Sequence, residues 1–342
     1  EKPQLRLYKS YFNVAWFVRA YSQVLSKYSK VITTNETLDA VYEADKDKEE
    51  KYRKHWKVPD MDVELSSIGR GFDAQVELAA EVAQKRVERL LLFQDPLDVL
   101  EHLPEMHALI RNCTLAGVGL HINAGATFWA EAQWKKMSLP SSGFGRWRNY
   151  EKTADLHKLL NPPKQTIAFI SHDAEKPNMS RFIYHYREQF RSADLRLIGT
   201  SGTCQHARQY LEERVPPYED VPDLRPAAET SGAGHGPTGG DVVIADEIIK
   251  RWPVDIKQME KDNKDKPAYE YKPPVREKGV SHVVVFFIDH THAQPHQADI
   301  HVLLRTCLHP SHGVHLILNE RTAIDWGETL RCGLLDGNAN KR

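Results

Sequence analysis

Cysteine is scarce: Cys113, Cys204, Cys307 and Cys332 lie far apart and form neither a CxxC pair nor zinc-finger spacing. That argues against a disulfide framework or a cysteine-held structural metal, and it predicts a reducing compartment, the cytoplasm or the mitochondrial matrix. An apolar run long enough to span a bilayer is also missing, so no membrane segment is expected. Net charge is nearly absent, because 46 Lys and Arg face 47 Asp and Glu to leave −1 at pH 7. No global field therefore favours nucleic acid or a membrane surface, although local basic patches stay open. No signal peptide is visible, and Glu1 rather than Met opens the sequence, which is compatible with a trimmed targeting segment.

What is present is the composition of a globular chain, 41% hydrophobic and 27% charged over 342 residues, with room for two ordinary domains and a core in each. The most informative stretch runs from His282 to Cys307. Val283 to Ile288 is an unbroken apolar run, rich in β-branched and aromatic residues, which predicts a strand buried on both faces of a parallel sheet. Asp289 ends it, and Asp289, His290, His292, His296 and Asp299 then gather just past the predicted C-terminal end of the strand. Open α/β sheets place their ligands there. Ile300, Leu303, Leu304 and Cys307 follow at helical spacing. Taken alone, the stretch is equally well a capped strand-to-helix connection.

Three further stretches accompany it. Ser171-His172-Asp173-Ala174-Glu175-Lys176 follows the apolar run Thr166 to Ile170, and Gly199-Thr200-Ser201-Gly202-Thr203 lies between the predicted strand Leu195 to Ile198 and the predicted helix Cys204 to Glu213. Gly236-Pro237-Thr238-Gly239-Gly240-Asp241 opens the amphipathic segment Val242 to Ile249. Hydroxyls and backbone N–H groups of Thr200, Ser201 and Gly202 would converge at a helix N-terminus, Lys176 would add a positive charge and Gly236 further donors, which together describe a phosphate cradle. In this order HDxxK, GTxGT, GPxGGD and FFxD…PHxxD resemble methylglyoxal synthase, across residues 164 to 326.

An internal repeat is also legible. Leu92 to Cys113 aligns without a gap beneath Phe286 to Cys307, pairing Asp95 with Asp289, His102 with His296, His107 with His301 and Cys113 with Cys307. Val31-Ile32-Thr33-Thr34 matches Leu197-Ile198-Gly199-Thr200, and Asp73 falls under Asp241. The expected fold is therefore α/β, as two tandem methylglyoxal-synthase-like domains, each a mainly parallel, Rossmann-like sheet flanked by helices. Residues 1–130 form the first copy, 131–163 a linker and 164–342 the second. The first copy lacks the HDxxK group, and its glycine loop reads Gly69-Arg70-Gly71-Phe72-Asp73, so it is expected to be degenerate. Residues 216–235 and 257–278, rich in proline and charge, read as flexible insertions available to protein or RNA partners.

The resemblance implies a lyase that takes dihydroxyacetone phosphate to methylglyoxal and phosphate without metal or organic cofactor. It implies Asp241 as the proton-abstracting carboxylate and His296 as the group polarising the carbonyl. Asp289 and Asp299 would orient and charge the surroundings, with His172 and Asp173 lining the pocket. His235 stands where the family has serine, Ile198 where it has threonine, and the family's C-terminal arginine has no counterpart after Trp326. The alternative expectation is a non-catalytic subunit of a larger, mitochondrial ribonucleoprotein assembly that keeps the pocket for a phosphate group or an RNA end.

Overall fold

The computed structural model describes residues 14, 17–18, 21–27, 31–35, 37, 65–68, 71–93, 103–137, 164–191, 195–217, 219–227, 240–250, 280–292, 297–308 and 314–331. In the first half these hold α1 (Ser22–Leu25), β1 (Val31–Thr33), β2 (Leu65–Ser67), α2 (Gly71–Ala83), β3 (Arg89–Leu92), α3 (Leu103–Ala116), β4 (Gly119–Ile122) and α4 (Ala124–Lys136). The second half continues with β5 (Lys164–Ser171), α5 (Lys176–His185), α6 (Arg187–Phe190), β6 (Leu195–Gly199), α7 (Ser201–Arg214), β7 (Leu224–Pro226) and α8 (Gly240–Lys250). It ends with β8 (Val280–Phe287), α9 (Gln297–Leu308), β9 (His315–Ile317) and α10 (Glu320–Arg331).

The second half is a parallel sheet in the order β7-β6-β5-β8-β9, flanked by helices. Its two central strands carry unbroken apolar runs, 167–170 in β5 and 283–287 in β8, because both faces are covered. Along β5 and β8 successive side chains enter opposite layers. Ile167, Phe169, Val283, Val285 and Phe287 pack with Met179, Phe182, Leu211 and Trp326 on one side. Ala168, Ile170, Val284 and Phe286 pack with Ile244, Ile248, Leu303 and Cys307 on the other. That second layer also takes Leu109, Ile110, Cys113, Leu120 and Ile122 from the first half, so the halves share a core.

In the first half, β1 pairs with β2 and β3 with β4, both parallel. The registers follow the sequence repeat. Val31 sits opposite Leu65 as Leu197 sits opposite Leu224, and Arg89 opposite Gly119 as Val283 opposite His315. Under the ungapped match Leu103, which opens α3, lies beneath Gln297, which opens α9. Thr34 and Thr37 place their hydroxyl oxygens 3.2 Å apart, and their counterparts Thr200 and Thr203 stand 2.7 Å apart.

Contacts between the halves are reciprocal: α10 lies against β4 while α4 lies against β9, and β4 and β9 are themselves neighbours. The side chains after β9 satisfy the backbone of β4. The Leu120 N–H donates to Thr322 Oγ1 at 2.8 Å, and Asn319 Nδ2 donates to the Val118 carbonyl at 3.0 Å. Thr322→Val keeps the shape and leaves the buried Leu120 N–H without this acceptor, so a loss of about 1–3 kcal/mol is expected, read as a lower urea midpoint at unchanged m-value.

Two expectations change here. The stretch 216–235 is not wholly a loop insertion, because Leu224–Pro226 forms the edge strand β7. Three residues carry too little periodicity to announce a strand, and Pro226 is tolerated because an edge strand needs fewer N–H donors. Helix α4 continues through residue 130 to Lys136, across the expected start of the linker. Asp95, His102, Gly236, His296, residues 257–278 and the rest of the linker beyond 137 lie outside the described residues. Among the described residues no helix is long and apolar enough to cross a membrane.

Candidate functional site

From β5 the chain proceeds outward through β6 to β7, while β8 and β9 lie on its other side, so the topological switch falls between β5 and β8. Such a switch opens a crevice at the strands' C-terminal ends. His172 leaves β5 and Asp289 leaves β8 at this point. The Asp289 N–H donates to His172 Nδ1 at 2.9 Å, and the His172 N–H to the Phe287 carbonyl at 3.2 Å. The HDxxK and FFxD motifs thus meet across the crevice, and His172, as an acceptor at Nδ1, is neutral in this arrangement.

Asp289 is buried, and it accepts hydrogen bonds from the Thr291 N–H at 2.8 Å and the Thr291 hydroxyl at 2.5 Å, with His292 Nδ1 2.7 Å away. Burial alone would raise its pKa, but the Thr291 donors, with His292 behind them, hold it down at about 2. Asp289 is a fixed negative charge that orients the loop. It does not exchange protons near neutrality. Its charge is held because the Thr291 donors and His292 solvate it.

The candidate anion cradle is built from β6, α7 and α5. Thr203 Oγ1 accepts the Ser171 N–H at 3.1 Å and lies 2.7 Å from Thr200 Oγ1, which ties the end of β5 to the turn after β6. Gly199 allows that approach, since a Cβ there would sit 2.7 Å from the Phe169 carbonyl oxygen. Thr200 precedes α7, and Ser201 and Gly202 form its first turn, with Ser201 exposed. Lys176 Nζ closes in so far that a Cβ on Gly202 would be 2.9 Å from it. Asp173 holds the same ammonium at 2.5 Å, and its own side chain is 95% exposed. Asp173 therefore belongs to the rim as the partner of Lys176.

Asp241 stands in the first turn of α8 and is buried. The preceding Gly240 brings this helix end against the cradle, for a Cβ on it would lie 2.6 Å from Thr200 Cγ2. Asp299, half buried, occupies the first turn of α9. The structure thus brings Gly240 to Thr200 and Lys176 to Gly202, with Asp241 following Gly240 in the first turn of α8, Ser201 in that of α7, and His172 against Asp289 in the crevice. Thr203 was part of the GTxGT motif but went unassigned, although its hydroxyl organises the turn. Among the described residues no group of three or more His, Cys, Asp or Glu could hold a metal ion.

No protein-family model matches the chain. Methylglyoxal synthase of Clostridium beijerinckii is 27% identical over 157 residues, covering 46% of this chain and 92% of that protein. An uncharacterized Synechocystis protein is 28% identical over 157 residues, and the chain spans a quarter of its length, 25%. The crystal structure of methylglyoxal synthase from Elizabethkingia anophelis is 19% identical with a TM-score of 0.30, covering 49% of this chain and 79% of that one. Distant similarity to methylglyoxal synthase therefore coincides with a mainly parallel α/β architecture.

Proposed function

We propose that the chain is two diverged copies of one methylglyoxal-synthase-like domain, 1–130 and 164–342 about a linker at 131–163, and that the second copy converts dihydroxyacetone phosphate to methylglyoxal and phosphate. The observation that carries this reading is the buried Asp241 carboxylate at the head of α8, pressed through Gly240 against Thr200 and the cradle that Lys176 enters. The matched registers of β1–β2 with β6–β7 and of β3–β4 with β8–β9 support the duplication.

In this mechanism Asp241 takes the proton beside the substrate carbonyl, and the electron pair moves to the carbonyl oxygen to form the enediolate. Its collapse breaks the carbon–oxygen bond to phosphate. The leaving group departs with the bridging oxygen, and the resulting enol takes a proton to become methylglyoxal. The Thr200, Ser201 and Gly202 end of α7 and Lys176 would hold the phosphate, with Gly236 supplying further backbone. His296 is the proposed donor to the carbonyl oxygen. His172, fixed by the Asp289 N–H, would line the crevice, with Asp299 behind His296.

A second reading rests on the Lys176 ammonium, which Asp173 already neutralises at 2.5 Å. It makes the second copy a non-catalytic subunit that keeps the pocket for a phosphate group or RNA end, with residues 216–235 and 257–278 facing partners in a mitochondrial assembly. Phosphate release from dihydroxyacetone phosphate separates the two. Turnover by the purified chain supports the enzyme, and phosphate binding without turnover supports the subunit. In either case Lys176→Ala is expected to weaken phosphate binding by about tenfold or more in calorimetry, the loss of one charge-assisted contact.

A further inference from the structure

Apart from that pocket, imidazole and guanidinium side chains gather where the two halves meet. His107 in α3 and His301 in α9 are half buried and in ring contact, with centroids 4.8 Å apart. They are counterparts in the sequence repeat, so the chain meets itself here as identical subunits meet across a twofold axis. Each is the fifth residue of its helix, near the positive end of the helix dipole. Arg111 stands one turn beyond His107 on the same face and is exposed, and Arg305 repeats that spacing after His301. His290, directly after Asp289, has its Nε2 buried and without a hydrogen-bond partner among the described residues.

Countercharge is thin in this group. Gln297 Nε2 lies 3.0 Å from His301 Nε2, and it is neutral. Asp289 bears on His290, but its oxygens are engaged by Thr291 and His292. Burial first, then the charges of His172 and Arg111, push His290 down to about 4, with Asp289 opposing and His107 adding to the fall. Burial and then His301 lower His107 as well. Imidazoles that suppress one another's protonation in this way are ready to take up protons when an anion arrives.

We propose that His107, Arg111, His290 and His301 form a second anion site, suited to a tetrahedral dianion such as a phosphate group, and that the first half supplies two of its ligands. This assignment does not depend on turnover in the second half. Sulfate, which stays dianionic between pH 6 and 8, is the probe, so that any pH dependence reports the protein. Calorimetry on the full chain is expected to show sulfate affinity rising as pH falls from 8 to 6, by about tenfold per pH unit wherever one proton is taken up on binding. Arg111→Gln, an exposed position, should abolish that rise, whereas Lys176→Ala should leave it intact. His107→Gln should repeat the Arg111→Gln result. Absence of sulfate binding in the wild type, affinity that does not change with pH, or a rise lost in Lys176→Ala and kept in Arg111→Gln overturns the site.

Discussion

Asp241→Asn is expected to lower kcat for phosphate release from dihydroxyacetone phosphate by about 10²-fold or more, with phosphate affinity unchanged. Asparagine keeps the shape and hydrogen-bonding reach of the side chain and removes its capacity to accept a proton. Asp241 is 5% exposed and sits in the first turn of α8. Its counterpart Asp73 also lies in a first helical turn, that of α2, but is exposed. Asp73→Asn is therefore expected to leave turnover unchanged. By sequence the first half carries Glu36 where the repeat sets Gly202. Equal turnover by Asp241→Asn and wild type would remove Asp241 as the base. Failure of the wild type to release phosphate would move the assignment to the binding subunit.

Acidification is expected to destabilise the fold through histidines buried where the halves meet. His315 is 3% exposed, stacked on Phe128 at 4.6 Å between centroids with Trp326 edge-on at 6.3 Å. Burial and, secondarily, His121 push it down to about 3. His121 is equally buried and also lowered, chiefly by burial. Asp325 opposes that shift from 3.8 Å, too far for a hydrogen bond, while Arg89, held by Asp325 at 3.1 Å, adds to it. The sign follows from these directions. Below the unfolded value of about 6.5 the unfolded chain binds protons that the folded chain refuses. Stability is complete above that pH and declines as pH falls toward about 3, the folded value of His315. Each such imidazole contributes a slope of about 1.4 kcal/mol per pH unit, so His315 alone accounts for roughly 2 kcal/mol between pH 6.5 and pH 5. Denaturant unfolding at pH 7 and pH 5 measures this. His315→Phe preserves the aromatic stack and should lose clearly less stability over that interval than the wild type. Equal losses would show that His315 does not carry the effect.

Much of the architecture was legible because its signals are local. The unbroken apolar run Val283 to Ile288 requires cover on both faces, and it became the buried core of β8. A Cβ on Gly199 would meet the Phe169 carbonyl, a close approach that the GTxGT pattern alone did not announce. The ungapped match of Leu92–Cys113 with Phe286–Cys307 anticipated that α3 and α9 begin at matching positions. β7 was not legible, since three residues at a sheet edge take their conformation from Leu197, Ile198 and Gly199 across the ladder.

The sequence by itself determined which residue types cluster at the ends of β5, β6 and β8, since apolar runs and turn glycines act within a few residues of their own position. Only the tertiary structure decided what those residues do. Asp289 is a charged anchor because Thr291 and His292 solvate it, and Asp173 stays on the rim, paired with Lys176. His107 and His301, far apart in the chain and paired in the sequence only as positions of the repeat, meet because a shared core brings α3 against α9. The charge states of His290 and His315 and the meeting of α3 with α9 depend on neighbours supplied by distant segments, and residue order alone does not contain that information.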